Sequence, residues 1–270
     1  MLDCAEGVQV GLRKMRLNIS NIQAIFLTHM HGDHVFGLIG LLSTLGLLGR
    51  QQQLHIYGPA PLQSIFQPQI DYFCADSPFE IMLHEIDSQV PQIVYEDRSV
   101  TISTIPLSHR VKCCGYMLKE KQTSPHIKRD MIDYFNIPIS QINNIKAGAD
   151  WTLDDGTVVP NCRLTTPAAP ARSYAYCTDT KYKPDIAELI PNANCLYHEA
   201  TFSQEHTLLA KKTFHSTAEQ AAHIAQAAHV SQLVIGHFSS RYNDENLLLE
   251  EAKTVFPNTI LANEGMKIKL

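Results

Sequence analysis

Three histidines and an aspartate fall within six positions of "FLTHMHGDHVFG": His29, His31, Asp33 and His34. Imidazole and carboxylate are donors that zinc accepts, and residues two apart on an extended loop project to the same side. On that spacing His29 and His31 share one ion, and Asp33 and His34, at the start of a following helix, face a second. Two such ions lower the pKa of a shared water towards neutrality and neutralise phosphodiester oxygens as charge builds on them. A binuclear site needs further ligands, and three residues stand where apolar runs end: His109 after "TISTIPLS", Asp179 after "SYAYCT" and His237 in "LVIGHF". His55, His84, His126, His206, His223 and His229 have no such placement and read as structural or surface residues.

The elements that must hold these residues read as α/β. Runs rich in β-branched residues, "AIFLTH", "LHIYG", "EIMLHEI", "VTISTIPLSH", "CGYMLKE", "SYAYCTD", "CLYHEA", "LVIGHF" and "TILAN", read as strands. Helical periodicity covers about 33–48, 61–74, 185–190, 216–229 and 245–256. Consecutive strands between about 80 and 120, without intervening helices, favour mixed sheets over a doubly wound parallel one. Residues 121–172 stand apart: they hold a short helical piece "IKRDMIDYFNI", a hairpin-like "LDDGT" and a stiff "TTPAAPARS". They read as an excursion from one elaborated domain spanning 1–270.

Composition narrows the class. With 270 residues, 44% hydrophobic and 18% charged, the chain is that of a globular protein with a sizeable core. No run approaches the roughly 18 to 20 apolar residues of a membrane span, and the first residues lack a signal-peptide pattern, so we expect a cytosolic protein. The seven cysteines are odd in number with no C-x-x-C pair, which argues against a disulfide framework and a thiolate zinc site. The net charge of −5 disfavours nucleic acid as a partner, yet residues 110–129 hold six Lys and Arg against Glu120 alone. A solvated loop and a local basic patch both account for that stretch.

"THMHGDH", "PLSH", "CTDT", "HEATF", "HST" and "GHFSSRY" resemble, in order, motifs of the metallo-β-lactamase superfamily and, within it, of the ribonuclease Z family, endonucleases that remove the 3′ trailer of precursor tRNA. The first motif marks the superfamily; "HEATF", "HST" and "HFSSRY" together narrow it. The resemblance implies a four-layer αββα sandwich of two mixed sheets, with metals at one edge. It implies two Zn2+ per subunit, with Mn2+ or Fe2+ as substitutes: His29, His31 and His109 hold one ion, Asp33, His34 and His237 the other, and Asp179 bridges them. The implied partners are precursor tRNA and a second copy of the chain, in the cytoplasm.

The resemblance also assigns chemistry. Asp33 orients the attacking water or takes its proton, and His215 protonates the leaving oxygen with Glu199 holding its other nitrogen. Ser216 and Glu219 have the spacing of a capping box, which starts a helix at Ser216 with His215 just before it. His198 would support the ligands from behind. Arg241 and Tyr242 would clamp a phosphate and stack on a base. Residues 121–172 match the family's tRNA-binding arm, with Lys119, Lys121, Lys128 and Arg129 on phosphates.

Two departures stand out. The family arm carries a Gly-Pro where this chain has "NIPISQINNIKAG", and family members have two strands, roughly 30 residues of a typical strand-turn-strand length, before the segment matching "LDCAEG". Three functions remain open on sequence: the tRNA endonuclease, a broader phosphodiesterase or exonuclease, and a truncated, inactive tRNA-binding protein.

Overall fold

The run "AIF" is buried at every position, and the strand it forms is the first of fourteen in a computed structural model describing Met1–Leu270. In chain order the strands are β1 (Ala24–Phe26), β2 (Leu54–Pro59), β3 (Ile81–Ile86), β4 (Ile93–Glu96), β5 (Val100–Pro106), β6 (Cys114–Glu120), β7 (His126–Ile127), β8 (Trp151–Thr152), β9 (Val158–Val159), β10 (Thr165–Thr166), β11 (Ser173–Cys177), β12 (Cys195–Glu199), β13 (Gln232–Gly236) and β14 (Thr259–Leu261). The chain divides into two compact units. One comprises Met1–Glu96, Thr101–Leu118 and Ser173–Leu270, the other Asp97–Val100 and Lys119–Arg172.

The larger unit is built on two sheets. β1, β2 and β3 pair side by side in parallel. The second sheet runs β14-β13-β12-β11-β6-β5-β4; it is parallel from β11 to β14 and antiparallel at β4/β5, so the mixture of directions lies in this larger sheet. Residues 1–3 lie along the free side of β1: Phe26 N donates to Met1 O, and Asp3 N to Phe26 O. Aromatic rings link the sheets. Phe26 meets Tyr95 and Tyr116 edge-on, and Tyr116 donates its hydroxyl to Leu27 O at 2.7 Å.

Helices cover the two sheets, each through an apolar stripe. In the helix Leu38–Leu47, Leu38, Leu41, Leu42 and Leu45 are buried, the i, i+3, i+4, i+7 pattern of a helix with one face inward. They share a core with Ile25, Leu54 and Ile56 of the first sheet. The helix Ala218–Ala227 buries Ala218, Ala221, Ala222, Ile224 and Ala225 against the second sheet, where small side chains permit close approach.

Parallel pairing aligns strand ends. Loops leaving the carboxyl ends of β11, β12 and β13 therefore emerge at one edge, the usual place for a site in an open α/β sheet, and the loop after β1 of the other sheet reaches the same place, with His29 3.2 Å from Asp179. The smaller unit is self-supporting: Ile137, Ile145, Val159 and Leu164 form its core beneath Trp151 and Phe135, and "TTPAAPARS" is not wholly linker, since Thr165 and Thr166 pair with β7. No helix is long and apolar enough to cross a membrane. All seven cysteines are free thiols.

Candidate metal centre

The residues singled out by spacing meet at that edge. His29 follows β1, His31 begins the turn into the helix Gly32–Val35, and Asp33 and His34 lie within it. His109 follows β5, Asp179 follows β11, and His237 follows β13 directly. Ligand atoms of His29, His31 and His109 lie within 4.8 Å of one another, as do those of Asp33, His34 and His237. Asp179 stands between the two groups. Its Oδ2 is 2.8 Å from His34 Nε2 and 3.2 Å from His29 Nε2, and its Oδ1 is 3.0 Å from His237 Nε2. Two further clusters overlap these: His29 with His34 and Asp179, and Asp179 with His215 and His237.

The backbone is held in an unusual conformation at two of these residues, Asp179 and His237, and at two that touch the cluster, Asp3 and Phe214. Asp3, Asp179, Phe214 and His237 have φ of 51°, 49°, 67° and 60°, in the left-handed region that non-glycine residues avoid. Each such residue costs about 1–3 kcal/mol unless its surroundings fix it. At Asp3 and Phe214 an imidazole nitrogen meets the residue itself, and a third imidazole is braced by its neighbour. His34 Nδ1 is 2.8 Å from Asp3 Oδ2, His29 Nδ1 is 3.0 Å from Thr28 Oγ1, and His109 Nδ1 is 3.1 Å from Phe214 O.

The charges of this cluster are strongly coupled. Burial pushes His29 down to about 3, helped by the charge of His34. Burial opposes charge on His34 too, but hydrogen bonds to Asp179 and Asp3 outweigh it and carry the imidazole up to about 10. Asp179 is penalised by burial yet held well below the usual carboxylate range by the facing imidazoles of His237 and His34. Several imidazoles thus share one buried carboxylate. Two features fit a divalent cation. Asp179 Oδ1 is buried and without a hydrogen-bond partner although His237 Nε2 stands 3.0 Å away, and His29 Nε2 and His31 Nδ1, hydrogen-bonded at 2.9 Å, converge with His109 as donors to one shared ion would.

On the far side of Asp179 lies the second group. His215 Nδ1 is 3.0 and 3.2 Å from the Glu199 oxygens, and 3.7 Å from Asp179 Oδ1. Glu199 is wholly buried and also accepts from Thr180 N, Ser216 N and Thr201 Oγ1. The cap of the following helix is one residue later than its sequence spacing predicts: Thr217 and Gln220 form the reciprocal box, because Ser216 Oγ is used on Thr180 O at 2.7 Å. His198 is buried behind Glu199, its Nδ1 2.7 Å from the Glu199 carbonyl and its Nε2 unpartnered.

A cavity opens over the cluster, lined by His31, Asp33, His109, Arg110, Asp179, Thr201, Phe202, Thr213, His215, His237, Phe238, Ser239 and Ser240. Arg241 and Tyr242 are not in that lining. The Tyr242 hydroxyl accepts from Ser203 N at 2.8 Å and lies 3.0 Å from His206 Nδ1, and the Arg241 guanidinium sits 5.7 Å from the Phe202 ring centre. Tyr242 is thus engaged in holding the loop after β12, and the cation that the cavity holds is Arg110. Sequence reading placed Arg110 in a basic stretch, although its position beside His109 pointed to the site. Lys119, Lys121, Lys128 and Arg129 all belong to the smaller unit, where Lys128 Nζ donates to Arg163 O.

Comparison with known proteins adds to this geometry. The model of the Beta-lactamase superfamily domain matches residues 1–127 and 122–238. Ribonuclease Z of Bacteroides thetaiotaomicron is 52% identical over 100% of this chain and 85% of its own length. Ribonuclease Z of Porphyromonas gingivalis is 46% identical over 100% of this chain and 89% of its own. Among solved structures, the short form of human tRNase Z superposes with a TM-score of 0.68 at 24% identity, covering 99% of this chain and 86% of that one. A diphosphatase with a TM-score of 0.61 at 18% identity covers 100% of this chain and 79% of its own, so the fold itself serves more than one substrate.

Proposed function

The chain belongs to the ribonuclease Z family of the β-lactamase superfamily and is an endoribonuclease of tRNA 3′-end processing; we propose that it cuts precursor tRNA to leave a 3′-hydroxyl on the tRNA and a 5′-phosphate on the trailer. The observation that carries this reading is Asp179, a buried carboxylate faced by His29 and His34 at one oxygen and by His237 at the other. In this reading His29, His31 and His109 would hold one zinc ion and Asp33, His34 and His237 the other, with Asp179 serving both. Manganese or iron suits the same donors. When bound, such a pair makes water a nucleophile near neutral pH and neutralises charge on the phosphoryl oxygens.

The chain's own groups do the rest. Asp33, exposed at the cavity mouth, orients the attacking water and accepts its proton. His215, its Nδ1 held by Glu199, hands a proton from Nε2 to the 3′ oxygen as the phosphorus–oxygen bond breaks. Arg110 and the Ser239 and Ser240 hydroxyls are placed to bind the phosphates flanking that bond. The smaller unit, with Lys119, Lys121, Lys128 and Arg129, grips the body of the tRNA. The enzyme works as a homodimer in the cytoplasm. Labelled precursor tRNA assayed beside a chromogenic phosphodiester tests the substrate: we expect strong cleavage of the RNA at the trailer junction. Turnover of the small diester alone would replace this reading with a broader phosphodiesterase.

A further inference from the structure

Two imidazoles that face Asp179 are backed by a threonine hydroxyl instead of a carboxylate. Thr28 Oγ1 lies 3.0 Å from His29 Nδ1 and donates to Asp3, whose oxygens are 3.0 and 3.1 Å away. Thr201 Oγ1 lies 2.9 Å from His237 Nδ1 and donates to Glu199 Oε2 at 2.6 Å. In each case the same carboxylate also holds a second imidazole directly: Asp3 holds His34, and Glu199 holds His215. The same device therefore occurs twice around Asp179, although its residues come from opposite ends of the chain.

A hydroxyl has one proton to give. Once Thr201 gives it to Glu199, Thr201 can only accept from His237, so Nδ1 must carry the hydrogen. The direction cannot reverse, because Glu199 already accepts from the Thr180 and Ser216 amides and offers nothing in return. His237 Nε2, which faces Asp179 Oδ1 at 3.0 Å, is then the nitrogen left for a cation. We infer that Thr201 is a positioning residue: it fixes which nitrogen of His237 meets the metal, and it ties that metal subsite to the carboxylate that holds His215. This rests on the metal reading given above and deepens it.

Replacing Thr201 by valine keeps the shape and removes the hydroxyl, whereas serine keeps the hydroxyl. Loss of such an outer partner lowers metal affinity by about 10–100-fold. Zinc titration of metal-free protein, read by calorimetry, should show two equivalents in the wild type. In T201V one of the two should weaken by that factor, and T201S should bind close to the wild type. T201V that binds both equivalents as tightly as the wild type, or folded T201S as impaired as T201V, would overturn the inference. Nitrogen NMR of the zinc-loaded wild type gives a check that no variant's folding can spoil: His237 should show a protonated Nδ1 and a zinc-bound Nε2, and zinc on Nδ1 would refute it. A wild type that takes up no zinc at all would remove the metal reading itself, a result distinct from any produced by the variants alone.

Discussion

At φ of 49° and almost wholly buried, the Asp179 carboxylate lies within 4 Å of the side chains of His29, His34, His215 and His237. A side chain so placed is costly to bury and strains its backbone, so its removal should cost function before it costs fold. Asp179→Ala should lose bound zinc and cleavage together, measured by elemental analysis and by turnover. His215→Ala should keep both zinc equivalents and slow cleavage by about 10²–10⁴-fold, the range for a lost general acid. A zinc-depleted His215→Ala protein would make His215 a ligand instead. The residues that cluster with Asp179 were legible in sequence because four are crowded into one loop and three end apolar runs. Asp3, Thr28 and Thr201 were not, because their roles are contacts across the fold. Asp3 and His34 are 31 positions apart, and Thr201 and His237 are 36 apart. Tyr242 shows the converse: a motif position beside a ligand whose hydroxyl is held by Ser203 and His206.

Strands and helices bring these residues to one edge, and two elements set the tolerance. β6 and β11 are neighbours in the large sheet, and a Cβ on Gly115 would lie 2.3 Å from the Tyr176 carbonyl. Gly115→Ala must therefore push the strands apart, an overpacking cost of about 1–3 kcal/mol, which chemical denaturation should register. The helix Ala218–Ala227 starts from the Thr217–Gln220 box. Thr217→Ala should lose about 1 kcal/mol by the same measurement, with Ser216→Ala affecting the Thr180 loop instead of the cap. An effect of Thr217→Ala within error of zero would contradict that assignment. Apolar runs made every strand of the two large sheets readable except β4, half exposed at the sheet's end, and the two-residue strands β7 to β10 of the smaller unit were too short to carry the signal. The cap slipped by one residue because Ser216/Glu219 and Thr217/Gln220 satisfy the same spacing, and only the position of Thr180 O decides between them. The helix Val8–Lys14 also escaped, since it buries no residue fully and has little periodicity to read.

At the scale of the whole molecule, an acidic chain that handles RNA must concentrate its cations, and the smaller unit holds Lys119, Lys121, Lys128 and Arg129 on a core of its own. Deleting residues 125–165 should raise KM for precursor tRNA while leaving hydrolysis of a small phosphodiester intact. Equal loss on both substrates would show that the segment supports the centre and not the RNA. Cations bound only by the folded state stabilise it by mass action, so chelation should lower the unfolding temperature and zinc should restore it. The α/β class with mixed sheets was legible in the sheet-forming runs and their order, and the αββα sandwich only in the resemblance of the motifs. The compactness of the smaller unit was not, since its core side chains are spread among Pro, Asn and Gly turns. The central claim is tested most directly by mapping the 3′ ends produced from a trailer-bearing precursor tRNA, with zinc-loaded and chelated protein side by side. The account predicts one cut that leaves a 3′-hydroxyl on the tRNA, abolished by chelation and restored by zinc. The same cut persisting in metal-free protein, or no cut at the trailer with two zinc ions bound, would contradict it.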